Sequence, residues 1–189
     1  MIRERTRPQW TPEQLKDIYQ GPHDARVLYP GHLPRVTRTI AMANRICPNP
    51  ESVADLACGN GDIANGCGAT RTYLGDFAAG FEFQGPVEET IDLIPEVTLM
   101  VAAETLEHLW DPDAVLLRFR EKAQYLVCSV PVTPEEGQNG EHYWSFDREG
   151  FESLLADTGW EVIDYEEVTA APSVVFDTYQ AGIWGCRRA

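Results

Sequence analysis

A chain of 189 residues, 43% of them apolar, is long enough for one domain with a sizeable core. Thirty Asp and Glu against 15 Lys and Arg give a formal net charge of −15, which argues against a surface that tracks nucleic-acid phosphates. The charge is uneven: residues 1–47 hold eight Lys/Arg against four Asp/Glu, a net of +4, and residues 48–189 hold seven against 26, a net of −19. Seven Phe, seven Tyr and five Trp exclude a disordered acidic tail. No apolar run approaches the ~18–20 residues of a membrane span, and the charged start Met1–Arg7 predicts no secretory signal. The five cysteines include no Cys-x-x-Cys pair and read as reduced thiols of a cytoplasmic protein, not as a zinc site.

In chain order, Thr11-Pro12-Glu13-Gln14 predicts a helix start, with Thr as cap, Pro at the first helical position and Gln closing a capping box. A Gly/Pro-rich stretch follows, and then a second helix over about His32–Ile46, ended by Cys47-Pro48-Asn49-Pro50. Residues 1–47 thus read as an N-terminal helical cap and 48–189 as the core. Within the core, apolar strands are predicted at Val53–Cys58, Arg71–Asp76, Glu82–Gln84, Val97–Ala103, Gln124–Val130, Trp160–Glu166 and Tyr179–Gly185. Helices are predicted between them at Asp62–Cys67, Val87–Ile94, Asp111–Ala123 and Asp147–Thr158, with Asp111 and Asp147 as N-caps and Gly159 as a helix end. The alternation implies an α/β fold: a Rossmann-like, seven-stranded, mostly parallel sheet with helices on both faces. The last two strands pair antiparallel and give a reversed edge.

The sharpest motif is Val53-Ala54-Asp55-Leu56-Ala57-Cys58-Gly59-Asn60-Gly61-Asp62. It runs from a buried strand through a tight turn into a helix, and its small residues let a ligand approach the backbone. Asp76 stands 21 residues past Asp55, at the end of the next strand, where a carboxylate can accept from both hydroxyls of a ribose. A dinucleotide fingerprint needs G-x-G-x-x-G, whereas the spacing here is Ala57-x-Gly59-x-Gly61, with no basic residue after it for a pyrophosphate. On these residues the chain resembles the class I S-adenosylmethionine (SAM) dependent methyltransferases, over roughly residues 50–187. Their acidic-x-Gly-x-Gly-x-Gly motif is similar to Asp55-x-Ala57-x-Gly59-x-Gly61, and their second acidic residue to Asp76. The resemblance implies SAM as cofactor, held by Asp55, Ala57, Cys58, Gly59, Asp76, Phe77, Val87 and Ala103. Gln84-Gly85-Pro86-Val87 departs from the family, with Pro86 where an acid often meets the adenine amino group.

Just past the fourth core strand, Ala103-Glu104-Thr105-Leu106-Glu107-His108 puts two carboxylates and an imidazole at spacings of three and four. On one helical turn the three would share a face and suit a divalent cation such as Mg or Mn; the alternative is that Glu104 bonds the cofactor while His108 packs. Glu-x-x-Glu-His followed by Asp111-Pro112 resembles the ubiquinone-pathway O-methyltransferases. It is similar as well to the small-RNA 3′-terminal 2′-O-methyltransferases, which by that resemblance makes His142 a fourth ligand. Resemblance to the ubiquinone-type enzymes also places Arg35 on the carboxylate of SAM. Tyr19, His23 and Tyr29 are candidates for a lid.

The leading expectation is an enzyme that transfers a methyl group from SAM to an oxygen or nitrogen of a small-molecule acceptor, with Glu104, Glu107 and His108 as catalytic residues. The alternatives are an RNA 3′-terminal 2′-O-methyltransferase and a SAM-binding protein without catalysis. Expected partners are the small acceptor and a second copy of the chain as a homodimer, with nucleic acid disfavoured by charge and no membrane.

Overall fold

The computed structural model describes residues 1–19, 32–132, 141–169 and 180–189. Its strands are β1 (Arg3–Arg5), β2 (Ser52–Asp55), β3 (Arg71–Asp76), β4 (Phe83–Gln84), β5 (Val97–Ala103), β6 (Ala123–Pro131), β7 (Trp144–Phe146), β8 (Trp160–Thr169) and β9 (Gln180–Arg188). Its helices are α1 (Pro12–Ile18), α2 (His32–Ile46), α3 (Asp62–Gly66), α4 (Val87–Thr90), α5 (Pro112–Lys122) and α6 (Arg148–Asp157), with a 3₁₀ turn at Leu106–His108. Seven strands form one sheet in the order β4-β3-β2-β5-β6-β9-β8. A separate ribbon pairs β1 with β7 antiparallel, with Arg3 opposite Phe146 and Arg5 opposite Trp144.

The central strands β2, β5, β6 and β9 are largely buried, and side chains along them alternate between two apolar layers. On β5, Leu99 and Val101 join α2 and α3, whereas Met100 and Ala102 join α4, α5 and α6. Each fully buried Leu, Val or Ile contributes roughly 1.5–3 kcal/mol relative to exposure, so this alternation fixes the register. Gly185 lets α2 lie close on β9: a Cβ there would come within 2.7 Å of Ile46 Cγ2 and 2.9 Å of Met42 Sδ.

The caps follow the sequence. The Thr11–Gln14 capping box starts α1, and Asp111 and Asp147 accept from the Ala114 and Gly150 N–H groups to start α5 and α6. The reversed strand is β9, antiparallel to both β6 and β8, and it lies one place in from the edge rather than at it. Ten residues separate β8 from β9, fewer than the dozen or so that a parallel crossover takes, so the two return as neighbours. Tyr179, expected to begin the last strand, and His23 and Tyr29 of the expected lid lie outside the described residues.

Neither β1 nor β7 is evident in the sequence, because three-residue strands carry too little periodicity. The ribbon is secured by charge and stacking. Arg3 pairs with Asp113 and with Asp157 (3.0 Å), and the Arg5 guanidinium lies 3.7 Å from the Trp110 ring centroid and 4.8 Å from that of Trp144. The basic opening segment thus meets the acidic body. Among the described residues, no helix is long and apolar enough to cross a membrane.

Candidate active site

The sheet order turns at β2, whose neighbours are β3 on one side and β5 on the other. In open α/β sheets the crevice beyond the strand ends at such a reversal is the ligand site. Asp55, Asp76 and Ala103 end β2, β3 and β5, so the sequence motifs converge on that crevice.

The first half of the crevice is the turn after β2. Gly59 (φ 55°) and Gly61 (φ 76°) are left-handed, a conformation that glycine adopts without a Cβ penalty. The turn is tied to β3 by the Cys58 N–H, which donates to the Gly75 carbonyl at 3.0 Å. The Asp76 carboxylate accepts from the Gly59 N–H and the Ala78 N–H, each at 2.9 Å. Each of its oxygens has a second acceptor position, so the carboxylate can hold the turn and still receive a hydroxyl. Asp55 is buried beneath and accepts from the Ala57 N–H at 3.3 Å. Burial pushes its carboxyl up to about 7 and Asp76 adds to the rise, while the Ala57 bond and the Arg35 charge oppose it. Arg35, only 6% exposed on α2, therefore sits within electrostatic reach of Asp55. Burial, with Asp55 and Asp76, holds the Cys58 thiol well above its ordinary range, so it is no thiolate nucleophile.

Val87 opens α4, where its side chain is buried in the apolar layer, and Pro86 takes the N-cap position in extended backbone.

The second half lies beyond β5. The expectation that Glu104, Glu107 and His108 share one helical turn is not met. Leu106–His108 alone is helical, as a 3₁₀ turn, and Glu104 precedes it with φ 54°. That left-handed residue is uncommon for a side chain larger than Asn, and its position is secured by two bonds to Ser129. The Glu104 N–H donates to the Ser129 carbonyl at 2.8 Å, and the Ser129 hydroxyl donates to Glu104 Oε1 at 3.0 Å. Ser129 is fully buried on β6 and is a site residue that the sequence reading did not single out; a serine facing the sheet interior beside an acidic strand end is its only signal.

Glu107, 1% exposed, meets His108 and His142. One ligand atom from each of these three lies within 4.8 Å of the other two. His108 Nε2 is 3.9 Å from Glu107 Oε1, and the two imidazole rings stand edge-to-face at 4.6 Å. The meeting depends on β7: the Tyr143 N–H donates to the Glu107 carbonyl at 2.8 Å and brings the preceding His142 alongside. Tyr19, at the end of α1, closes over both halves. Its hydroxyl oxygen lies 3.1 Å from His108 Nδ1, and its ring is 5.7 Å from that of Phe77. Burial, reinforced by Glu141, Glu107 and Asp76, raises the phenol well above its ordinary value, so it stays protonated.

No protein-family model and no curated protein matches this sequence. Solved structures do. The Burkholderia thailandensis 1,6-didemethyltoxoflavin N1-methyltransferase, bound to its substrate and S-adenosylhomocysteine (SAH), superposes with a TM-score of 0.69 at 16% identity, over 97% of this chain and 92% of that one. A Pyrococcus horikoshii protein described as a candidate RNA methyltransferase gives 0.65 at 16% identity, over 95% and 100%. The SAH-bound magnesium protoporphyrin IX methyltransferase of Synechocystis gives 0.60 at 15%, over 97% and 90%.

The fold is that of the class I methyltransferases. The matches cover 95% and 97% of the chain, more than residues 48–189 alone could supply.

Proposed function

We infer that this chain is a SAM-dependent methyltransferase acting on an oxygen or nitrogen of a small-molecule acceptor. The observation that carries this reading is the Asp76 carboxylate bonded to the Gly59 turn at the sheet's reversal, above Asp55 and Arg35. A left-handed glycine turn, a ribose-competent carboxylate and a buried cation near one strand end fit the amino acid and ribose of SAM. In this reading Asp76 holds the ribose, Phe77 lies on the adenine side, and the backbone of Ala57, Cys58 and Gly59 with Arg35 meets the amino-acid portion. Ala103 borders the sulfur, and the Val87 N–H faces the adenine. Bound there, the sulfonium supplies an electrophilic methyl carbon for in-line displacement. The chain then has to align the acceptor, exclude water and receive its proton. In this reading His108, beside Glu107 and His142, receives the proton. Of the solved structures named above, two are methyltransferases named for 1,6-didemethyltoxoflavin and for magnesium protoporphyrin IX, and one is a candidate RNA methyltransferase. The net charge of −15 favours the small acceptor.

A second reading keeps the cofactor and adds a divalent cation at Glu107, His108 and His142; Glu104, expected as a further ligand, is held by Ser129 and is not part of that group. The close grouping of one buried carboxylate and two imidazoles supports it, since that donor set suits Mn more than an all-oxygen Mg site. A cation there would bind the acceptor oxygen and lower its pKa.

Calorimetry with SAM and SAH tests the first reading: binding of both is expected, and binding of neither would sink it. Manganese titration followed by electron paramagnetic resonance tests the second. Loss of bound Mn in both Glu107→Gln and His142→Ala is expected, and a parent protein that leaves all Mn free excludes the cation.

A further inference from the structure

Residues 1–19 reach the cleft as one arm. Its first strand is locked to β7 by the ribbon, and its middle is tied to the acceptor half. Thr6 Oγ1 donates to the His142 carbonyl at 2.9 Å, and the Thr6 N–H donates to the Tyr143 carbonyl at 2.8 Å. The Trp10 N–H donates to the Tyr143 hydroxyl at 2.8 Å. The Thr11 capping box then starts α1, whose last turn ends on Tyr19. The arm has no buried residue in α1, so packing of the helix itself does not explain why Tyr19 is held where it is. Its fixed contacts are at the cleft: the Phe77 ring at 5.7 Å, and the His108 ring edge-on at 6.4 Å with the hydroxyl on Nδ1.

We propose that Tyr19 is a positioning residue shared by both halves of the cleft, its hydroxyl fixing the His108 ring and its own ring closing the cofactor end against Phe77. A protonated phenol can donate to Nδ1, and a ring held at Nδ1 keeps Nε2 directed at Glu107 and its edge toward His142. A 180° turn of the His108 ring would exchange both nitrogens for carbons and undo that arrangement. The Phe77 side of the proposal rests on the cofactor reading above; the His108 side does not.

Two variants of the full chain separate the hydroxyl from the ring. In long-range proton–nitrogen spectra of the ligand-free protein, Tyr19→Phe and Tyr19→Ala should both move the His108 Nδ1 resonance. In calorimetry, Tyr19→Phe should bind SAH within about twofold of the parent, while Tyr19→Ala should bind about tenfold more weakly for want of the aromatic cover. An unmoved His108 resonance in Tyr19→Phe overturns the hydroxyl role. Parent-like SAH binding by Tyr19→Ala overturns the ring role. If the parent itself ignores SAH, the cofactor reading and the ring role fall together, and the spectra still decide the role of the hydroxyl.

Discussion

The two halves of the cleft are built in opposite ways. The half under Asp76 comes from one continuous stretch: Asp55, the Gly59 turn and Asp76 lie within 22 residues, and their bonds join two neighbouring parallel strands. The half around His108 comes from four distant places: Tyr19, Glu107–His108, Ser129 and His142 are brought together by the ribbon, the 3₁₀ turn and β6. A local site survives as long as its strand pair survives. A gathered site depends on every element that does the gathering, so damage to the arm should undo the half around His108 and cost the other only the cover of the Tyr19 ring.

The largest effect that would test the comparison is Asp76→Ala. It removes a charged acceptor from two backbone N–H groups and from the proposed ribose, and should weaken SAH binding about 100-fold, roughly 3 kcal/mol. Parent-like affinity in calorimetry would mean that the local half is not the cofactor site. Next comes Gly150→Ala. A methyl there would collide with the Ile2 carbonyl, which also accepts from the Asp147 N–H, so β1 must leave β7. The expected cost is about 3 kcal/mol in urea unfolding, with the His108 resonances displaced and SAH weakened by no more than the roughly tenfold that loss of the Tyr19 ring would bring. Equal damage to both halves would dissolve the distinction.

The smallest effect concerns the floor of the local half. The Asp55 carboxyl is raised by burial to about 7, above its value in the unfolded chain. Between about pH 4 and 7 the folded state therefore keeps a proton that the unfolded state has lost. The group's contribution is full below pH 4, falls as pH rises toward 7 and is level above. Asp55→Asn should remove that slope and gain roughly 2 kcal/mol on the parent at pH 8 relative to pH 5, read from melting temperatures across that range. An unchanged slope would show that Arg35 already compensates the charge.

What the sequence made legible follows the same division. The strands β3 and β5 and the helix α2 have the bounds that their apolar patterns predict, and the capping residues Thr11, Asp111 and Asp147 all accept the expected N–H groups. These signals are local: a side chain and a backbone group three residues apart, or a run of alternating burial. Glu104 shows where such reasoning stops. Spacing of three and four suggests one helical turn, but the bonds to Ser129 on β6 hold Glu104 left-handed and outside it. The antiparallel pairing of β8 with β9 is legible in the short connection, but the place of β9 beside β6, one in from the edge, is not, because sheet packing rather than either strand's own residues decides it.

The sequence alone determined an acidic α/β chain, the glycine turn between Asp55 and Asp76, and the helix caps, because each rests on bonds made within a few residues or within one strand pair. Tertiary structure decided where the uneven charge goes: Arg3 and Arg5 meet Asp113, Asp157 and two tryptophans, and Arg35 is the basic residue within electrostatic reach of Asp55. It also decided that Tyr19 and His142 meet Glu107 and His108. Those meetings span from 34 to 89 residues of chain, and no local preference encodes a contact at that range; only the packed sheet and the arm clamped to it bring the groups within reach.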